Sequence, residues 1–160
     1  MITLTLPDGS KRDVEAPLTG AEFAASISNS LAKKALALKL YDVLVDLATE
    51  IDRDCELAVI TADDEEGVEL MRHDCAHVMA QAVQELFPDA QVTIGPVIED
   101  GFFYDFARET PFSLEDLETI EKRMRDIVER NVPIVREVWQ RDEAIAHFRE
   151  IGEVYKAEII

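Results

Sequence analysis

At 160 residues the chain is long enough for one ordinary domain or two small ones, and it reads as two. Apolar residues make up 48% of it, yet no apolar run reaches the ~18 residues of a membrane span and no signal-peptide pattern opens it, so a cytoplasmic location with no membrane partner is expected. The formal net charge of -18 disfavours non-specific nucleic-acid binding, which needs clustered Lys and Arg. The densest basic group, Lys122, Arg123 and Arg125, shares a helix with Glu118, Glu121 and Asp126 and reads as a mixed, solvated face. Cys55 and Cys75 fall in different units at no metal-like spacing, which points to reduced core thiols.

Ile2, Leu4 and Leu6 alternate with Thr3 and Thr5, Pro7-Asp8-Gly9-Ser10 turns the chain, and Lys11 to Glu15 returns, so a β-hairpin opens the sequence. Thr19-Gly20-Ala21-Glu22 has capping-box spacing and starts a short helix through Phe23, Ala24 and Ile27. Ala35 to Leu40 and Val43 to Asp46 read as strands around a Tyr41-Asp42 turn, and Glu56 to Thr61 supplies another. Hairpin, helix and further strands within residues 1–62 suggest a ubiquitin-like β-grasp, one of several small α+β folds the pattern allows. The acidic run Ala62 to Gly67 cannot be core, so residues 63–67 read as a linker.

Val68 to Phe87 then has helical periodicity. Met71, Cys75, Val78, Met79, Ala82 and Leu86 recur at spacings of three and four and define the expected buried stripe. His73 and His77 stand one turn apart and almost opposite that stripe, beside Ala80 and Gln84. A His pair at this spacing is often just a solvated helix face. Here two of the three histidines in the chain form it, and imidazole titrates near neutrality, relays protons and binds metals. The zinc-protease pattern His-Glu-x-x-His is not met, because Asp74 replaces the Glu. Two histidines supply half of a tetrahedral set, and Cys75 on the core stripe is a poor third ligand.

Beyond Pro88, Gln91 to Ile94 and Val97 to Ile98 read as strands flanking Gly95-Pro96, and Glu99-Asp100-Gly101 turns into a strand Phe102 to Phe106. Tyr104 in that strand carries a hydroxyl that needs a partner. Ser113 caps a helix with a stripe of Leu114, Leu117, Ile120, Met124, Ile127 and Val128. Pro133 to Val138 is expected as a strand, Asp142 to Ile151 as a helix stopped by Gly152, and Glu153 to Ile160 as a strand.

Leu6-Pro7-Asp8-Gly9-Ser10, the β-grasp pattern, the Asp64-Glu65-Glu66-Gly67 run, Arg72-His73-Asp74-Cys75-Ala76-His77, Ile94-Gly95-Pro96 and Gly101-Phe102-Phe103-Tyr104-Asp105 together resemble the N-terminal region of bacterial threonyl-tRNA synthetase, over the whole chain. The resemblance implies an α+β protein in which residues 1–62 are a TGS domain of the β-grasp type and residues 68–160 are the first part of an α/β two-layer editing domain that deacylates mischarged seryl-tRNA. It further implies His73, His77 and Lys156 as catalytic residues, with Tyr104 and Gly95 in the substrate pocket. tRNA is the implied partner, through its terminal aminoacyl-adenosine, and dimerisation is implied through domains beyond these residues. ATP and a catalytic zinc are expected only in the catalytic domain, which this chain does not contain. A second zinc, held by His73 and His77, is suggested by the ligand set of related alanyl-type editing domains but would lack the family's downstream Cys-x3-His element. The alternative function is a non-catalytic TGS-type regulatory or RNA- or protein-binding module.

Overall fold

The computed structural model describes residues 1–160, which divide into two compact units, Met1–Met71 and Arg72–Ile160.

In the first unit, the inward residues Ile2 and Leu4 of β1 (Ile2–Thr5) are buried. Gly9, at φ 78°, supplies the left-handed turn that returns the chain as β2 (Lys11–Val14), antiparallel with Ile2 opposite Val14. After β3 (Leu18–Thr19), α1 (Gly20–Ile27) opens on the expected capping box: the Thr19 hydroxyl accepts from the Glu22 N–H, and the Glu22 carboxylate accepts from the Thr19 N–H at 2.7 Å. Ser28 ends α1 and caps α2 (Asn29–Lys34). β4 (Ala35–Leu40) and β5 (Val43–Val45) form a hairpin whose turn residues Tyr41 and Asp42 both have positive φ, as strand-matching two-residue turns require. β6 (Glu50–Ile51) pairs with β3, and β7 (Cys55–Thr61) lies parallel to β1 and antiparallel to β4. The five-stranded order is therefore β2-β1-β7-β4-β5. Phe23 of α1 packs into a core of Ile2, Leu4, Leu38, Ile51, Cys55 and Leu57. A mixed sheet whose parallel pair unites the first and last long strands, with a helix packed against it, is a ubiquitin-like β-grasp.

The stretch expected as an acidic linker is structured. Asp64 Oδ2 accepts from the Thr61 N–H (2.7 Å) and hydroxyl (2.9 Å), the Asp64 N–H returns to the Thr61 carbonyl, and α3 (Glu65–Leu86) starts at once. A Cβ on Gly67 would stand 1.8 Å from the Thr61 carbonyl oxygen, so only glycine lets the first turn of α3 sit this close to the end of β7. Lys39 Nζ reaches Glu66 at 2.8 Å and ties the same turn to β4.

The second unit holds most of α3 and short ladders. β8 (Gln91–Val92) pairs with β11 (Phe106–Ala107), and β9 (Val97–Ile98) forms a hairpin with β10 (Gly101–Phe102). The single strand expected over 102–106 is thus broken in two, although Asp105 still donates to the Ile94 carbonyl at 2.9 Å. α4 (Leu114–Glu129) has a capping box of Ser113 and Asp116. α5 (Arg141–Glu150) is followed by Gly152 at φ 82° and by α6 (Val154–Ile159). Ala82, Val83, Ala90 and Ile120 form the core, with Phe87, Phe106, Phe112 and Met124 packed on it.

Three expectations fail here for physical reasons. The expected stripe holds only in its second half, where Ala82 is buried and Met79 and Leu86 pack on the core; Met71 and Cys75 are exposed, and Ala76, Ala80 and Val83 complete the buried face of α3. Small side chains permit the closest approach of a neighbouring backbone, and on a helix apolar on two sides that approach chose the face. Pro133 to Val138 forms no strand, since no other strand pairs with it, and Ile134 is 88% exposed. Glu153 to Ile160 is a helix, with Ala157 the one buried residue, because an alternation of three apolar residues fits a single helical turn against a neighbour as well as it fits a strand. No helix is long and apolar enough to cross a membrane.

Candidate functional site

α3 places His73 and His77 on one face, and their side chains meet: the two Nε2 atoms are 2.9 Å apart, with ring centroids 4.5 Å apart and the rings nearly perpendicular. Such a contact needs one Nε2 to donate and the other to accept, so the pair is compatible with one N–H between them and opposes two. Arg72, the residue before His73, donates to the carbonyls of Ile98 and Glu99 and holds the β9–β10 turn against α3. Ala80, beside the imidazoles on the helix, is part of the buried face. The opening lies on the other side, in a cavity of about 690 Å³ lined by His73, His77, Val78 and Gln81 from α3 and by Asn131 to Ile134 after α4.

The pKa of His77 is held below its ordinary value. Loss of hydration where the ring faces the protein is the largest cause, although much of its area is open; the His73 charge comes next, Asp74 opposes, and the Lys156 ammonium adds to the lowering. His77 therefore stays neutral at physiological pH and shares a single N–H with His73. Lys156, expected on a strand, is on α6, its Nζ 5.7 Å from the Phe148 ring centroid.

Gly95 and Tyr104 are brought together. The Tyr104 ring lies over Gly95 so closely that a Cβ there would stand 2.1 Å from Cδ2, and its other neighbour is Phe106, stacked at 5.1 Å. Burial, and secondarily the Glu153 charge, raises the Tyr104 pKa, which keeps its hydroxyl a donor. Glu153 escaped the sequence reading. Its Oε1 accepts from the Gln84 side-chain amide, and its Oε2 is enclosed without a partner. Gln84 was visible as a neighbour of the His face seven residues after His77, but nothing local in the sequence marks its partner 69 positions away.

No group of three or more His, Cys, Asp or Glu side chains converges anywhere in the structure. The two Nε2 atoms face one another, but Cys75 is exposed on a different face of α3, so these residues do not by themselves fit a zinc centre.

A family model for the TGS domain matches residues 2–61, the residues that hold the five-stranded sheet and α1 of the first unit. The chain is similar along its whole length to the N-terminal region of bacterial threonine–tRNA ligases. It is 62% identical over 160 residues to that of Parvibaculum lavamentivorans, covering 100% of the chain and 24% of the relative. The corresponding enzyme of Thiobacillus denitrificans is 62% identical with 25% of it covered, and that of Rhodospirillum rubrum 59% with 25% covered. The chain thus spans about a quarter of the length of the curated relatives it matches, and the match to the TGS model accounts for only the first part of that quarter.

Proposed function

We propose that the chain is the N-terminal region of a cytoplasmic threonine–tRNA ligase and that residues 68–160 contribute to hydrolytic removal of serine from mischarged tRNA. The observation that carries this reading is the His73–His77 contact, in which two ring nitrogens face one another at 2.9 Å beside a cavity while His77 is held neutral. Similarity to threonine–tRNA ligases supplies the substrate class. Serine lacks one methyl of threonine, and a methyl is worth only about 1–3 kcal/mol of discrimination in a pocket, so a separate hydrolytic step has a physical purpose.

In this reading His77, partnered by His73, orders or deprotonates a water. The water oxygen attacks the ester carbonyl carbon, the ester C–O bond to the ribose breaks, and the ribose oxygen leaves with a proton. Lys156 offers a cation to the developing oxyanion, and Tyr104 over Gly95 forms a wall of the substrate pocket. Aminoacylation, with its ATP and catalytic zinc, and dimerisation belong to the remaining length found in the relatives, as does most of the tRNA contact, given a net charge of -18 here.

The test is single-turnover hydrolysis of seryl-tRNA by a threonine–tRNA ligase carrying this chain as its N-terminal region. His73→Ala and His77→Ala are each expected to slow the reaction by about a hundredfold or more, the ordinary worth of acid–base catalysis. Hydrolysis at the unmutated rate by both variants would remove the role assigned to this helix.

A further inference from the structure

Glu85 lies on α3 beyond His77, and its carboxylate is a meeting point of three side chains. Oε1 accepts from Arg130 Nη1 at 2.7 Å and from the Gln81 amide at 3.1 Å, and Oε2 accepts from Arg130 Nη2 at 2.8 Å and from Arg123 Nη1 at 3.5 Å. Two of these donors, Gln81 on α3 and Arg130 at the end of α4, also line the cavity beside His73 and His77. Apolar packing fixes the body of α4, where Ile120 is buried and Met124 and Ile127 pack on the same core. Arg130 is the C-cap, past the last of these, and the chain leaves the helix there. Over residues 132–139 the backbone makes no hydrogen bond to the rest of the chain, and Val132 and Ile134 are 70% and 88% exposed. The wall of the cavity formed by residues 131–134 therefore hangs from Arg130. The path between them is short and stiff: Asn131 turns the chain at φ 47°, the ring of Pro133 locks its own φ, and Val132 before it is confined to extended backbone. A planar guanidinium forked on a carboxylate fixes direction as well as distance, so the grip on Arg130 is passed on to the wall.

We infer that Glu85 is a positioning residue: by gripping Arg130 it sets the wall of residues 131–134 at its distance from the histidine face of α3. Glu85 has no need to touch substrate. Its importance for hydrolysis rests on the function proposed above, whereas the placement of the wall can be measured without any activity. Arg130 above all, with Gln81 and Arg123 in support, holds the Glu85 carboxyl down to about 2, so the fork stays ionised throughout the neutral range.

Cys75 is exposed on α3 and Cys55 is buried, so spin labels on Cys75 and on Ile134→Cys report the distance from helix to wall. One narrow distance is expected while Glu85 is present, and a clearly broader distribution in Glu85→Gln and in Arg130→Gln. Arg123→Gln leaves the forked pair whole and should keep the narrow distance. In a threonine–tRNA ligase carrying this chain, Glu85→Gln and Arg130→Gln should each lower the maximal single-turnover rate of seryl-tRNA hydrolysis about tenfold or more, because a small misplacement near the reacting groups is costly. The concentration giving half the maximal rate should barely move, since most of the tRNA contact lies outside this chain, whereas simple loss of folded protein would leave no such split. Arg130→Lys keeps the charge but not the fork, should fall between Arg130→Gln and the original protein in both measurements, and keeps the test open if Arg130→Gln does not fold. An unchanged narrow distance in Glu85→Gln and in Arg130→Lys, or an Arg123→Gln protein as broad and as slow as Glu85→Gln, overturns the inference. If His77→Ala slows hydrolysis and Glu85→Gln does not, Glu85 has no part in the reaction and the hydrolytic reading stands. If the distances respond as expected but hydrolysis is unaffected by Glu85→Gln and by His77→Ala alike, the placement of the wall stands and the hydrolytic reading fails.

Discussion

The two units use their apolar residues in opposite ways. In Met1–Met71 the long strands and α1 send alternating side chains into one core, where Leu4, Phe23 and Leu38 are fully enclosed. In Arg72–Ile160 only Val83 and Val92 among the larger side chains are enclosed to that degree, and Leu114, Leu117, Val128, Ile134, Val135 and Val138 stand exposed. The strand ladders differ in the same sense: β4 and β7 pair over five register positions, while each ladder of the second unit has two. Stability in the first unit is therefore dense and central. In the second it is carried by polar fastenings as well, such as the bidentate contact of Arg130 with Glu85 at 2.7 and 2.8 Å and the Arg108 guanidinium 4.2 Å over the Phe87 ring.

The most severe test of that contrast compares Phe23→Ala with Ile134→Ala. Emptying the Phe23 site should cost about 3–5 kcal/mol and unfold the first unit at much lower denaturant. Ile134, 88% exposed, should cost within about 0.5 kcal/mol when truncated. Urea titrations of the two variants, followed by a probe in each unit, check both; a large effect at Ile134 would mean that the exposed segment is packed in solution.

Next in size is Gly67→Ala. The added methyl meets a backbone carbonyl that cannot swing aside, and overpacking of this kind costs about 1–3 kcal/mol. Alanine is otherwise the better helix former, so a stabilised variant would show that α3 does not begin against β7 as described.

Which parts were legible from sequence follows from the same contrast. The Thr19–Glu22 capping box, the Ser113 cap, the Gly9 turn and the Tyr41-Asp42 hairpin are local devices, complete within four residues, and they appear where the pattern put them. Burial is not local. The Met71 to Leu86 stripe and the Leu114 to Val128 stripe are regular, yet Met71, Leu114 and Leu117 are exposed, since periodicity shows where a helix is apolar and not whether a partner covers it. The site divides likewise: His73 and His77 are four residues apart and announced themselves, while Glu153 reaches Gln84 only through the folded chain.

The polar fastening of the second unit has a pH signature. Arg130, first of all, together with Gln81 and Arg123 holds the Glu85 carboxyl down to about 2 from an ordinary 4.5. A depressed carboxyl adds stability that is complete above its unfolded value and is lost as pH falls through its folded one. The Glu85 contribution should therefore disappear between about pH 4.5 and 2. Glu85→Gln is expected to flatten that part of the stability profile, read as urea midpoint against pH, and to leave the slope of the first unit unchanged. His77 acts at higher pH with the same sign: its folded value is lowered from 6.5, so its contribution is present above that value and is lost as pH falls below it.

The smallest effects concern left-handed backbone, which each unit places at a non-glycine residue. Asp42 has φ 67° in the β4–β5 turn, and Asn131 has φ 47° just past the C-cap of α4. Asp and Asn tolerate this region better than other side chains, but glycine meets no Cβ penalty there. Against this, glycine loses more freedom on folding, so Asp42→Gly and Asn131→Gly should each stabilise by only about 0.5 kcal/mol. Asp42 gives up little else, since its carboxylate is almost fully exposed and only 3.8 Å from Lys39. Asn131 differs in one respect, because it begins the segment that walls the cavity beside His73 and His77. A gain at Asp42 with none at Asn131 would show that the Asn131 side chain already stabilises that wall, and equal gains would mark both as turn residues alone.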